Sequence, residues 1–161
     1  MTQDMVTHPG DPFVGNLATP LNSSGFTKAF IRNLPAYRKG LSPSRRGLEI
    51  GMAHGYFLYG PLALLGPLRH ADVAATVGII GTVSFITLLT IAMSLYAAVT
   101  NAHPQSTVTT PEPPALDRDA WSELAGSFFV GGCGGAAFAY FLCQTPHLDL
   151  LQSLASGVWS S

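Results

Sequence analysis

The chain has 161 residues, enough for one compact domain, with 47% hydrophobic residues, 17 glycines and only 11% charged residues. Charged residues usually make up about 25% of a soluble domain, so this balance points to lipid, where small residues let helices pack closely. A net charge of -1 argues against the basic face that a nucleic-acid partner needs, and two cysteines without a CxxC or Cys/His cluster argue against zinc or iron–sulfur sites.

The opening stretch MTQDMVTHPGDPFVGNLATP lacks the apolar core of a signal peptide. It also holds Asp4 and Asp11 and no Arg, unlike an organelle transit peptide. The expectation is a chain made where it works, or one whose presequence has been removed. Residues 1–45 carry Pro9, Pro12, Pro20, Pro35 and Pro43, which predict an irregular arm with one short helix near Gly25–Asn33. Phe13, Val14, Leu17, Phe26, Phe30, Ile31, Leu34 and Tyr37 are too many apolar residues for a disordered tail, and the arm is expected to pack on a partner.

The first span is predicted over 46–65, between Pro43 and Gly66-Pro67, close to the ~20 residues that cross a bilayer core. Pro61 removes one backbone donor and should kink this helix or start its loosened last turn. After a short loop, a second span over 73–100 has no charged residue between Val73 and Val99. Its Thr76, Thr82, Ser84, Thr87, Thr90 and Ser94 can bond back to their own helix. Residues 101–119 are rich in Pro, Thr and Ser and predict an exposed loop. A third span over 121–143 has Trp121 and Tyr140 near its ends, and Gly131-xxx-Gly135 has a close-packing spacing. Cys133 and Cys143 lie within it, ~15 Å apart along a helix axis and too distant for a disulfide. The tail, 144–161, predicts a short interfacial helix. Seven of the eight basic residues flank the first span or follow the second, and Arg69 alone lies on the other side. The positive-inside rule then makes the arm and the 101–119 loop cytoplasmic and the tail lumenal or external. The fold class is an all-α membrane protein: three transmembrane helices and an irregular N-terminal arm in a single domain, 1–161.

Two ionisable residues stand inside the first span, in GLEIGMAHGYFLYG. A charge there costs about 2.5–3.5 kcal/mol on insertion scales, so it needs a reason. Glu49 reads either as an interfacial carboxylate reaching for water or Arg45/Arg46, or as a metal ligand. His54 reads either as a helix–helix hydrogen bond or as a metal ligand, the commonest task of neutral imidazole. Five residues separate them, ~140° around a helix, so they do not chelate one ion and read as two single-ligand sites. One axial ligand each suits a magnesium tetrapyrrole better than a bis-His haem, since the other histidines lie outside the spans or at their margins. Glycines at 47, 51, 55 and 60 offer a flat surface for a macrocycle or admit a neighbouring helix.

The segments DPFVGNLATP (11–20), NLPAYRKGLSPSRRGLEIGMAHGYFLYGPLALLGPLR (33–69) and WSELAGSFFVGG (121–132) closely resemble photosystem I reaction-centre subunit XI, the L subunit, of cyanobacterial type. The resemblance implies a non-catalytic thylakoid protein with three transmembrane helices that binds antenna chlorophyll a, β-carotene and lipid. It implies photosystem I core subunits and small membrane subunits as partners, and copies of itself at the centre of a trimer. Glu49 and His54 match the family's axial chlorophyll ligands. The family often shows Arg-Asp-x-Asp in the lumenal loop, its first Asp binding calcium between protomers. Here the loop reads Arg69-His70-Ala71-Asp72, and imidazole suits hard Ca²⁺ poorly, so a calcium site would rest on Asp72 and carbonyls such as that of Pro67. Two readings from other classes stand beside this one. The first is a small transporter or channel subunit with Glu49/His54 as a proton path, weakened by the uncharged second span. The second is a haem-binding electron carrier, weakened by the missing second His.

Overall fold

A computed structural model describes residues 5–10, 13, 15–99, 106–145 and 153. These form four helices, α1 (Gly25–Asn33), α2 (Pro43–Leu64), α3 (Ala74–Val99) and α4 (Arg118–Gln144). One antiparallel bridge, Thr7 to Ala18, folds the start of the arm back on itself. The expected helix near Gly25–Asn33 is present, and α2, α3 and α4 coincide with the three apolar segments to within three residues at each end.

Local chemistry sets the helix starts. Ser24, Ser42 and Asp117 each accept a hydrogen bond from the backbone N–H three residues on, at 3.1, 3.2 and 2.8 Å. Pro43 occupies the first turn of α2, where its missing donor is not needed. Pro61 leaves α2 only one more turn, which closes with the Leu65 N–H on the Pro61 carbonyl at 2.9 Å. Along α3 the hydroxyls of Thr82, Ser84, Thr87, Thr90 and Ser94 donate to carbonyls four residues back, so these polar groups are satisfied inside the helix.

The three long helices pack through rows spaced by four residues. Gly47, Gly51, Gly55, Tyr59 and Ala63 form the buried ridge of α2. On α4 the matching rows are Leu124, Phe128, Gly132 and Ala136, beside Gly131, Gly135 and Ala139. α2 and α4 run parallel: a Cβ at Gly47, Gly51 or Gly55 would collide with the carbonyl oxygen of Leu124, Phe128 or Gly132 in turn. Gly131 and Gly135 meet the Leu48 and Met52 carbonyls in the same way. Backbones this close exchange dispersion contacts and Cα–H···O bonds instead of side-chain packing. α3 closes the bundle with Gly78 on Ala63 and the buried Ile86 on Gly132. The spacing Gly131-xxx-Gly135, read above as a close-packing one, and the small residue Gly78 are therefore used within the chain. Likewise Gly47, Gly51 and Gly55 admit a helix and leave no bare surface for a macrocycle, whereas Gly60 faces open space.

α3 and α4 are long and apolar enough to cross a membrane; α2 is not, because Glu49, His54, Pro61 and its glycines and tyrosines dilute its apolar residues. Only 17% and 33% of the apolar windows of α3 and α4 are buried within the chain, so most of that surface points outward. The arm does the same with Phe13 (96% exposed), Leu21, Phe26 and Phe30. Residues 106–110, expected as an exposed loop, form a turn closed by Thr107 and Thr110 and are pinned to the arm. The Val108 N–H donates to Asn16 Oδ1 at 3.0 Å, and the Thr109 hydroxyl to the Asn22 carbonyl at 3.2 Å. The helix expected in 144–161 lies outside the described residues, apart from its first two positions and Ser153.

Candidate functional site

Both ionisable residues of the GLEIGMAHGYFLYG stretch lie on α2, above its glycine ridge. Glu49, half exposed, forms an ion pair between its Oε2 and Nη2 of Arg38, which comes from the connection between α1 and α2. The partners expected from sequence were Arg45 and Arg46. Arg45 is exposed, and Arg46 is 4% exposed and engaged with backbone carbonyls. Its guanidinium donates to the carbonyls of Pro35, of Arg38 at 3.1 Å and of Leu41 at 3.3 Å. Gly40, with φ +79°, makes the reversal that brings these three carbonyls round one cation. A buried charge needs several hydrogen bonds, and here the irregular backbone of the arm supplies them. Nothing in the local sequence separated the roles of Arg38, Arg45 and Arg46; the sign was the Pro35–Leu41 stretch, whose carbonyls have no regular element to satisfy them.

His54 stands one and a half turns further along and is exposed. Its Nδ1 lies 2.8 Å from the Ile50 carbonyl. A carbonyl only accepts, so Nδ1 carries the proton and, in the neutral ring, Nε2 carries the outward lone pair. The ring edge rests on buried Phe128, with centroids 5.6 Å apart at 63°, which fixes the imidazole plane. With Nδ1 taken by the helix, Nε2 is left able to accept a hydrogen bond or to bind a metal. His54 is the one histidine within the described helices. Among the described residues no three of His, Cys, Asp and Glu gather as a metal site. The structure does not bring Glu49 and His54 together on one ion; each presents a single donor. Such donor sets fit a cofactor that carries its own metal and lacks only an axial ligand.

Asp72 and Pro67 both lie exposed in the connection between α2 and α3, which is folded by short turns from Arg69 N–H to Gly66 and from Ala71 N–H to Leu68. Two further contacts had no local sequence signal. Ser44 and Ser127 share a hydrogen bond of 3.0 Å between α2 and α4, and Tyr96 meets Trp121 at 5.7 Å where α3 ends and α4 begins.

Comparison with known proteins agrees with this architecture. The family model of Photosystem I reaction centre subunit XI matches residues 4–148. Photosystem I reaction center subunit XI of Crocosphaera subtropica is 57% identical over 153 residues, covering 94% of this chain and 98% of that protein. The same subunit of Synechococcus elongatus is 51% identical over 99% of both chains, and that of a Picosynechococcus strain is 62% identical over 87% of this chain and 93% of its own. With an outward apolar surface on α3 and α4 and relatives matched nearly end to end, the chain belongs to the Photosystem I reaction centre subunit XI family.

Proposed function

We propose that the chain is a non-catalytic, multi-pass thylakoid subunit that holds antenna chlorophyll a and β-carotene and joins copies of photosystem I into an oligomer, a trimer in the first instance. The observation that carries the pigment reading is His54: an exposed imidazole on an apolar helix, its plane fixed by Phe128 and its Nδ1 taken by the Ile50 carbonyl. Nε2 of His54 ligates one chlorophyll magnesium and the Glu49 carboxylate a second. Bound chlorophyll supplies the absorption and transfer of excitation. The protein's part is to set where each pigment stands and how it is tilted.

Packing supports three spans. α2 is less apolar than its neighbours, yet its ridge lies against α4 from Gly47 to Gly55, and Tyr59 meets Tyr140 at 6.3 Å. A helix held along α4 at that depth crosses the same slab of lipid. The outward apolar surface of α3 and α4 and the exposed aromatics of the arm support lipid, carotenoid, core subunits, small membrane subunits and further copies of this chain as neighbours. A calcium ion at Asp72 and the Pro67 carbonyl belongs to the same proposal; one protein carboxylate would leave most of its coordination to carbonyls and water. The arm and the 106–117 connection are cytoplasmic and the tail lumenal. A proton path is disfavoured because α3 offers no charged residue to continue it and Arg38 already holds one oxygen of Glu49.

His54→Leu and Glu49→Leu, each introduced into the intact complex, should each remove or displace one chlorophyll while the complex still assembles. Density maps of the variants read the result. Two pigments kept on α2 at unchanged axial distances in both variants would overturn the ligand assignment.

A further inference from the structure

We infer that Arg38 is the positioning residue of the Glu49 site: it holds Oε2 and leaves Oε1 for the pigment magnesium. This rests on the reading of Glu49 as a ligand. A carboxylate has about four lone-pair sites, so one guanidinium does not exhaust it. The two candidate ligands differ in how they are held. His54 takes its orientation from Ile50, within its own helix. Glu49 takes its orientation from the arm.

The dependence runs back one further step. The backbone of Arg38 is itself gripped by buried Arg46, whose guanidinium spans the carbonyls of Pro35, Arg38 and Leu41. Arg46 thus fixes the turn, the turn fixes Arg38, and Arg38 fixes the carboxylate. The pair also carries no net charge. A chlorophyll magnesium centre is neutral overall, so a lone carboxylate beneath it would be an uncompensated charge in a poorly solvated place, which is costly. Arginine suits this role better than lysine, because its planar fork fixes the direction of the bond as well as the charge. The consequence is asymmetric: disturbing the arm alters the pigment on Glu49 and spares the one on His54.

The test uses the intact complex carrying Arg38→Ala, Arg38→Lys, Glu49→Leu or His54→Leu, with density maps and low-temperature absorption spectra of each. Arg38→Ala should lose or shift the pigment at Glu49 and keep the pigment at His54, which serves as the internal check that α2 is folded. Arg38→Lys should retain that pigment at reduced occupancy, since charge survives and direction does not. If Arg38→Ala keeps the Glu49 pigment in place while Glu49→Leu loses it, the inference is wrong and the ligand assignment stands. If Arg38→Ala loses both pigments, the role of Arg38 is structural and the inference again fails. If Glu49→Leu itself keeps the pigment, the ligand reading falls and takes this inference with it.

Discussion

A methyl group at position 51 has nowhere to go. The added Cβ would collide with the Phe128 carbonyl and stand 2.8 Å from the Gly132 nitrogen, and both obstacles are backbone. No rotamer change relieves such a clash, so the two helices must separate. Overpacking of this kind costs about 1–3 kcal/mol. At Gly126 on α4 an added Cβ meets nothing within 4 Å, and alanine there gains helix propensity of up to about 1 kcal/mol. Gly51→Ala should therefore lower the temperature at which the subunit leaves the complex, and Gly126→Ala should leave it unchanged or raise it. Equal shifts for the two would refute the ridge. The spacing of Gly47, Gly51 and Gly55 was readable in the sequence as a surface made for close approach. Its occupant was not, because four-residue spacing describes a flat face and says nothing about what lies on it. Gly60 has the right residue type but stands off the ridge, and only packing separates it from the others. For Glu49 and His54 the sequence indicated two isolated donors, since their 140° separation follows from helix geometry alone. The contacts that orient them, Arg38 and the Ile50 carbonyl, depend on how the arm folds and which rotamer the imidazole takes.

Arg45 and Arg46 are neighbours in sequence with different tasks. Arg45 is exposed, while Arg46 is buried and gathers three carbonyls of the segment before α2. Hydrogen bonds to a charged group contribute about 1.5–3 kcal/mol each, so Arg46 accounts for much of what holds Pro35–Leu41 against the helix. Arg46→Ala should free that segment, and trypsin should cut after Arg38 and Lys39 faster than in the wild type. Arg45→Ala should leave the cutting rate as it was. An unchanged rate in the Arg46 variant would show that other contacts hold the arm. The helices themselves were legible because apolar runs, serine and aspartate caps and prolines are local signals. The arm's attachment was not. Asn16 reaches Val108 across 92 residues of sequence and Thr109 reaches Asn22 across 87, pairings that no local pattern encodes. For the same reason residues 106–110 read as a loose loop and are in fact tethered.

For the whole molecule, these tethers gather the basic residues at one end. The arm carries Lys28, Arg32, Arg38 and Lys39, the first turn of α2 carries Arg45 and Arg46, and Arg118 opens α4 beside the end of α3, where Tyr96 meets Trp121. Arg69 stands at the opposite end, between α2 and α3. The proposed orientation, with arm and connection toward the cytoplasm, draws its support from an asymmetry of seven to one among the eight basic residues. We propose three crossings between the arm and the end of α4. α2 has 22 residues, ~33 Å of helix against a hydrocarbon core of ~30 Å, so it is long enough to be one of them. A broad-specificity protease added to sealed vesicles of each orientation checks this. It should cut between residues 106 and 117 from the cytoplasmic face and leave that segment intact from the lumenal face. Since the segment is pinned at Asn16, Asn16→Ala should speed the cytoplasmic cut and still give none from the lumen. Cleavage from the lumenal side in either protein would reverse the topology, and with it the assignment of α2 as the first of three spans.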